Sequence, residues 1–265
     1  MHFWRDPFLA LWKNRGLLWQ TTRHDIRARY AGSLLGLAWL IVYPMLFLGA
    51  YAFIYLFVFK VRFELFDANE YVVLIFCGLI PFLGFAEALG LGVTAVTGNA
   101  NLVKNTLFSI EMMPVKAVLV SQCTQVVGTG LLLVAIAWVG RLTLWSLMLP
   151  LIWVLQVGFT LGCIWVLSSV NVYARDLQNI VAILTLILMM VSPIAYTVDM
   201  VPAAFRPILA LNPLYYLIAS YQDCLFRGQF PSREVFAVLA GMSLLSFCGG
   251  FWFFSRMKKV FVDNV

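Results

Sequence analysis

Long apolar runs separated by short polar stretches dominate this sequence. A helix needs about 20 apolar residues to cross the hydrocarbon core of a bilayer. Six runs meet that length, and they cover residues 34–59, 71–97, 115–139, 145–170, 180–198 and 235–254. The pattern therefore predicts an all-α membrane protein with six transmembrane helices.

The composition supports this prediction and excludes a water-soluble globule. Of the 265 residues, 63% are hydrophobic and only 11% are charged, with a mean hydropathy of +0.92. So few charged side chains cannot cover a soluble protein of this size. The net charge of +6 does not indicate nucleic acid binding, because the basic residues flank the apolar runs, where they orient helices and contact anionic membrane lipids.

The distribution of lysine and arginine predicts the orientation. With six helices and a cytoplasmic N-terminus, the C-terminus is cytoplasmic too, and the inner segments hold twelve basic residues against six in the outer segments, as the positive-inside rule expects. The inner ones are Arg5, Lys13, Arg15, Arg23, Arg27, Arg29, Lys104, Lys116, Arg175, Arg256, Lys258 and Lys259. The outer ones are Lys60, Arg62, Arg141, Arg206, Arg227 and Arg233.

The N-terminal residues lack the pattern of a cleaved signal peptide and are expected to remain in the mature protein. Phe3, Trp4, Phe8, Leu11 and Trp12 share one helical face, which predicts an amphipathic helix in the membrane interface. A frayed basic tail is the alternative. We divide the chain into a cytoplasmic N-terminal segment (1–30), a transmembrane domain (31–256) and a cytoplasmic C-terminal tail (257–265).

Aromatic residues recur every four positions along the first span, in which Pro44 predicts a kink. Because a helix turns once in 3.6 residues, this stripe winds slowly around the axis and is a candidate channel lining. Ordinary helix packing is the alternative. The stripe consists of Trp39, Tyr43, Phe47, Tyr51, Tyr55 and Phe59.

Glu87 is a carboxylate well inside the second apolar run. Burying it costs roughly 2.5 kcal/mol or more unless it is protonated, paired or hydrated, so it is a candidate functional residue by default. A packed, protonated Glu87 and a position near the outer interface of the membrane are the alternatives. Small residues at four-residue spacing in the second and fourth runs predict close helix contacts; they are Gly84, Ala88, Gly92, Gly158 and Gly162.

Between the fifth and sixth runs, residues 202–211 and 214–226 are apolar but each too short to cross a bilayer. Together they predict a re-entrant helical hairpin in the outer face. Asn212 and Pro213 suit its turn, as a helix N-cap and a first helical residue. With Pro202 at its start, this hairpin is a candidate outer gate, and a static interfacial loop is the alternative.

Several other functions lack support in the sequence. No phosphate-binding loop is present, since Val103 stands where the nearest run needs glycine. No acid, base and nucleophile converge as a catalytic site, the five cysteines form no CxxC pair, and the two histidines suggest no metal site. An ion-coupled transporter usually has internal repeats and several intramembrane ionisable groups, whereas only Glu87 fits here.

A series of short motifs extends over nearly the whole chain. They are Arg27-Ala-Arg-Tyr30 with Gly32-Ser33, Gly78-Leu-Ile-Pro81, Asn99-Ala-Asn-Leu-Val-Lys104, Glu111 with Pro114, Asn171-Val-Tyr173 with Arg175-Asp176, Ser192-Pro193-Ile194 and Asn212-Pro213-Leu214. In this order and spacing, the chain resembles the membrane subunits of type-2 ABC exporters, specifically the group that exports O-antigen, capsule and teichoic acid chains.

This resemblance implies a homodimer in the bacterial inner membrane, clamped to two ABC ATP-binding subunits that hold ATP and magnesium. It implies a lipid-linked glycan as substrate, most directly a polyprenyl-diphosphate-linked O-antigen, and no cofactor or catalytic residue in this chain. A capsule or teichoic acid exporter and a small-molecule ABC exporter are the alternatives.

In that family the loop between the second and third spans rests on the ATPase. Here it corresponds to residues 99–114, which makes Asn101, Lys104 and Glu111 candidate contacts, although the usual Phe-Pro-Arg-Glu is Phe-Ser-Ile-Glu in this chain. The other sizeable inner loop, 171–179, adds Arg175 and Asp176, which alternatively pair only with each other.

Four residues at the cytoplasmic rim of the first span are candidate contacts for the phosphates of such a substrate, because guanidinium groups form charge-assisted bonds with phosphate. A role in topology alone explains the arginines equally well. These residues are Arg23, Arg27, Arg29 and Tyr30.

Overall fold

The computed structural model describes residues 14–58, 67–99, 110–196 and 201–264, and this part of the chain contains helices and no strand. The α-helices are α1 (Arg15–Arg29), α2 (Trp39–Phe53), α3 (Ala68–Val93), α4 (Met112–Trp138), α5 (Leu149–Tyr173), α6 (Leu177–Val191), α7 (Arg206–Ala210), α8 (Pro213–Gln222) and α9 (Arg233–Asn264). The predicted all-α class is confirmed.

Five segments are long and apolar enough to cross a membrane: Gly36–Val58, Asn69–Val93, Met112–Trp138, Leu144–Tyr173 and Arg233–Lys258. They correspond to five of the six predicted runs. Over its most apolar part the α3 segment is 72% buried, against 12% for the segment that contains α2. Therefore α3 is the central helix, and α2 lies at the periphery with most of its apolar surface uncovered.

The remaining predicted run forms a shorter helix than expected. Helix α6 has 15 residues and ends at Val191, and the next residue, Ser192, has an extended backbone with φ −74° and ψ 144°. Pro193 explains this end, because a proline disfavours the helical conformation in the residue before it.

Small residues allow α5 and α9 to pack along most of their lengths, as the sequence predicted. A Cβ on Gly162 would lie 2.1 Å from the backbone oxygen of Ser246, and one on Gly250 would lie 2.2 Å from the oxygen of Gly162. Ser246 Oγ donates to the Phe159 carbonyl at 3.0 Å and Ser243 Oγ to the Leu155 carbonyl at 2.6 Å. On α3, Gly84 and Gly92 similarly admit Gln125 and Ile164.

The turn between α7 and α8 has the predicted chemistry. Asn212 accepts a hydrogen bond from the Leu214 N–H at 3.0 Å as the N-cap, and Pro213 is the first helical residue. Asn212 also donates to Ser192 Oγ at 2.9 Å, which ties this turn to the end of α6. Helix α7 is largely exposed, whereas α8 is largely buried against α3 and α9.

Near the N-terminus, one predicted helix lies mostly outside the described residues and one helix was not predicted. The predicted interfacial helix falls mainly on residues outside those described. Helix α1, which the apolar pattern did not predict, follows it and packs on α4. Thr22 of α1 is fully buried, and its hydroxyl is satisfied because it donates to the Leu18 carbonyl of the same helix at 2.7 Å.

The prediction of a sizeable loop over residues 171–179 was wrong. Helix α5 continues through Tyr173 and α6 begins at Leu177. Asn171, which suggested a loop, is buried within α5 and donates to Thr97 Oγ1 at 3.2 Å. Helix α9 also runs beyond the apolar segment to Asn264, so most of the predicted C-terminal tail is helical.

Candidate functional site

A cavity of about 380 Å³ lies where α1 meets the main bundle. It begins at the last residue of α1 and extends between α2, α3 and α4. We call it the α1 cleft. Its lining is Arg29, Tyr30, Trp39, Tyr43, Pro44, Leu48, Ile80, Leu83, Gly84, Ala86, Glu87, Thr124, Gln125 and Gly128.

An ion pair between Arg29 and Glu87 lies in the lining of the α1 cleft. Glu87 Oε1 accepts a hydrogen bond from Arg29 Nη1 and also lies 3.5 Å from Thr124 Oγ1. The Glu87 side chain is 18% exposed and that of Arg29 is 44% exposed. The acid is thus recessed and paired, while its basic partner faces the more open side.

Arg29 and Tyr30, at the end of α1, remain a protonated guanidinium and a neutral phenol. Partial burial alone would lower the pKa of Arg29, but the hydrogen bond and charge of Glu87 outweigh it and raise that pKa above its usual value. Burial raises the pKa of Tyr30. The cleft therefore presents a permanent cation and a neutral phenol.

The other two arginines of the predicted rim lie elsewhere on α1. Arg23 and Arg27 are exposed, and neither forms an ion pair with another described residue. At 100° per residue, Arg27 points away from Arg29 around the helix. The structure therefore brings Arg29 and Tyr30 to the cleft and leaves Arg23 and Arg27 outside it.

The aromatic stripe of α2 is divided between two environments. Trp39 and Tyr43 line the α1 cleft, whereas Phe47 and Tyr51 pack against the bundle core. The rings stack in sequence, with centroids 6.2 Å apart for Tyr43 and Phe47 and 5.3 Å apart for Phe47 and Tyr51. The side chain of Tyr55 and all of Phe59 lie outside the described part.

A second ion pair attaches α1 to the bundle. Asp25 Oδ2 lies 2.7 Å from Nζ of Lys116 on α4, and the Lys116 side chain is only 10% exposed. Asp25 and Arg29 are four residues apart and so share one face of α1. One acid and one base on that face each bind the opposite charge, which fixes the direction and register of the helix.

A buried polar network connects four helices beside the cleft. Gln156 donates to the Pro81 carbonyl at 2.9 Å and to Gln125 Oε1 at 3.0 Å, and its own Oε1 accepts from Tyr221 at 2.9 Å and from Gln125 at 2.8 Å. Gln125 also lines the α1 cleft, and Tyr221 belongs to α8. The hydropathy pattern did not predict this network, although Gln125 and Gln156 inside apolar runs were a signal for it.

The predicted ATPase-contact residues have separate positions. Asn101 and Lys104 lie outside the described residues. Glu111 pairs with Lys258 near the end of α9. Arg175 and Asp176 are exposed at the turn between α5 and α6, and no hydrogen bond or ion pair joins them.

The predicted gate residues lie at the other end of the bundle. Pro202 is exposed, while Asn212 is buried in its capping role. Nearby, Arg141 forms an ion pair with Glu70 at 2.7 Å and lies over the ring of Phe226. Within the ranges that the structure describes, no three His, Cys, Asp or Glu side chains are grouped as metal ligands.

Comparison with known proteins adds a family and three close relatives. The model of the ABC-2 type transporter family matches residues 16–226. The O-antigen export system permease protein RfbA of Myxococcus xanthus is 28% identical over 96% of this chain and 97% of its own length. Two proteins of the same name from Klebsiella pneumoniae are 30% and 29% identical, each over 93% of this chain and 94% of the relative.

Proposed function

The chain belongs to the ABC-2 type transporter family, and from this premise we propose that it is the permease subunit of an ATP-driven exporter of a lipid-linked O-antigen. The observation that carries the proposal is the match to three O-antigen export permeases over more than nine-tenths of the chain. The α1 cleft is consistent with it, because an arginine beside aromatic walls suits an anionic lipid that carries sugars.

The proposed topology has six spans in the bacterial inner membrane with both termini in the cytoplasm. Helix α6 is the fifth span; its 15 residues give a length of about 22 Å, and the extended residues that follow lengthen it. The excess of basic residues on the inner side supports this orientation. Residues 202–226 then form a re-entrant hairpin on the outer side.

The proposed assembly is a homodimer with two ABC ATP-binding subunits, which bind ATP and magnesium. Exposed apolar side chains on α6 and on the segment that contains α2 (Gly36–Val58) support a partner, since Met190 is 85% and Phe57 65% exposed. Lipid also covers such surfaces. The ATP-binding subunits are proposed to contact residues 99–114. Glu111 already pairs with Lys258, so force applied to this loop would reach α9.

Mass spectrometry of lipid-linked material tests the proposal. Cells that lack this chain are compared with the same cells carrying it. A trapped polyprenyl-diphosphate glycan supports the proposal, whereas a glycan on a phosphatidylglycerol-type anchor would assign the protein to capsule export. Normal surface polysaccharide without trapped glycan would contradict polysaccharide export and favour a small-molecule pump.

The aromatic wall of the cleft gives a specific prediction. Tyr43→Ala is expected to slow export roughly threefold to tenfold through loss of aromatic contact area, without loss of folded protein, because Tyr43 is 54% exposed. Phe53→Ala is the matched control, since Phe53 lies on the same helix, is 58% exposed and is not part of the cleft lining. The measurement is the rate at which labelled polysaccharide reaches the cell surface. Equal slowing by both variants would contradict a role for the cleft.

A further inference from the structure

Among the residues that the structure describes, Arg29 is the one cation in the lining of the α1 cleft. Its guanidinium pairs with the carboxylate of Glu87 on α3, whose side chain is only 18% exposed. A guanidinium binds a carboxylate and a phosphate through the same planar arrangement of donors, so the two anions compete for one position.

We propose that Glu87 is a built-in competitor for the substrate: its carboxylate occupies, on Arg29, the place that the phosphate of a lipid-linked substrate takes during loading. This inference rests on the proposed export function. It adds that the Arg29 guanidinium binds the substrate phosphate and that this guanidinium becomes available when Glu87 is displaced. The ligand class is a phosphate on an apolar lipid chain.

The exposure of the pair allows this exchange. Arg29 is 44% exposed, and ion pairs with one partner so accessible to solvent are weak. The diphosphate of a lipid-linked glycan, like the monophosphate of a polyprenyl phosphate, carries more negative charge than a carboxylate and has more acceptor oxygens. It can therefore replace Glu87 without a large free-energy cost.

The surroundings of the pair indicate what happens to each partner after exchange. Glu87 remains within 3.5 Å of the Thr124 hydroxyl, so the released carboxylate keeps a polar neighbour. Helix α1 remains attached through Asp25 and Lys116, whose separation of 2.7 Å does not depend on Arg29. The attachment of α1 to α4 through Asp25 therefore does not depend on the ion pair between Arg29 and Glu87.

The walls of the cleft favour a lipid phosphate over a free one. Trp39, Leu48 and Leu83 line the same cavity as Arg29. Apolar walls of this kind accommodate a hydrocarbon chain that enters from the bilayer and contact it by dispersion, but they contribute nothing to inorganic phosphate. The charge and the apolar surface together select an amphiphile.

The test measures binding to the full-length chain, co-purified with its ATP-binding subunit and reconstituted in nanodiscs. The probes are a polyprenyl phosphate and the polyprenol of equal length, which differ only in the phosphate. Glu87→Gln, which keeps the shape and a polar group for Thr124, is expected to tighten phosphate-lipid binding by roughly threefold to tenfold, the contribution of a partly exposed ion pair. Arg29→Gln is expected to bind both probes equally.

Two controls make the result decisive. Arg27→Gln, on another face of the same helix, is expected to keep the wild-type preference for the phosphate, and Arg29→Lys is expected to keep part of it while confirming that the site tolerates substitution. Weaker binding in Glu87→Gln, or equal losses in Arg27→Gln and Arg29→Gln, would overturn the proposal. If inorganic phosphate at equal concentration displaces the phosphate lipid, the claim that the cleft selects a phosphate attached to a lipid chain is wrong.

The binding test and the export test fail independently. The probes carry no sugar, so the binding assay does not require that the natural substrate is an O-antigen. If cells lacking the chain trap a lipid-linked glycan while Glu87→Gln fails to tighten phosphate-lipid binding, the export function stands and the competitor role of Glu87 is wrong.

Discussion

Gly162→Ala is expected to leave little folded protein in the membrane, although it adds a single methyl group. The new Cβ would lie 2.1 Å from the backbone oxygen of Ser246 and 2.2 Å from its carbonyl carbon. Backbone atoms within a helix cannot rotate away as a side chain can, so α5 and α9 must separate. Overpacking of this kind costs about 1–3 kcal/mol and sometimes more, and we expect the upper end here.

Separation of these helices would also break their hydrogen bonds. Ser243 and Ser246 on α9 both donate to carbonyls of α5. These bonds need the close approach that Gly162 and Gly250 permit, and lipid offers no alternative partner for the freed hydroxyls. The contact and the hydrogen bonds are therefore lost together.

The measurement is the yield of monodisperse protein in detergent, with the midpoint of thermal unfolding. Gly241→Ala is the matched control, because Gly241 lies in α9 and a Cβ there meets nothing within 4 Å. That variant is expected to be unchanged or slightly stabilised, since alanine favours a helix by roughly 0.8–1.0 kcal/mol over glycine. Equal yields of the two variants would show that α5 and α9 do not pack as closely at Gly162 as the structure indicates.

The sequence was sufficient to predict the features that local chemistry determines. Five spans follow from the length of their apolar runs, and the turn at Asn212 and Pro213 follows from capping chemistry. Helix α6 is shorter than predicted because the apolar run continues past Ser192 while Pro193 ends the helix. Hydropathy measures how apolar a segment is, and backbone chemistry separately determines where its helix stops.

The pairings within the site could not be predicted in the same way. Glu87 was a candidate because a lone carboxylate in an apolar run needs a partner, but the partner, Arg29, is 58 residues away in the chain. The three arginines of the rim also looked equivalent in sequence. Only the packing of α1 on α4 distinguishes Arg29, which reaches the cleft, from Arg23 and Arg27, which do not.

Gln156→Leu is expected to destabilise the bundle by about 2–4 kcal/mol, because several buried groups lose a partner at once and each costs about 1–3 kcal/mol when unsatisfied. Gln156 takes part in four hydrogen bonds, to Pro81, Gln125 and Tyr221. Leucine has a similar size, so packing changes little. A single hydrogen bond in a membrane protein contributes on average only about 0.6 kcal/mol, so the larger loss expected here arises because four bonds are lost together.

A graded series separates this effect from a general change in packing. Tyr221→Phe removes one hydroxyl and leaves Gln156 bonded to Gln125 and Pro81, so a loss of about 1 kcal/mol is expected. Gln178→Leu makes the same side-chain change at an exposed position and is expected to leave the unfolding midpoint unchanged. Thermal unfolding of the three purified variants ranks their losses of stability. If Tyr221→Phe loses as much stability as Gln156→Leu, Gln156 is not the central residue of the network.

The same series bears on how the two ends of the protein communicate. Gln125 lines the α1 cleft, and the network joins it to Tyr221 on α8, the buried arm of the proposed outer hairpin. A rigid connection of this kind would make the position of α8 depend on the packing around the cleft. If so, Tyr221→Phe should reduce polysaccharide export more than its small loss of stability explains, and export that simply follows the amount of folded protein would show that the network serves stability alone.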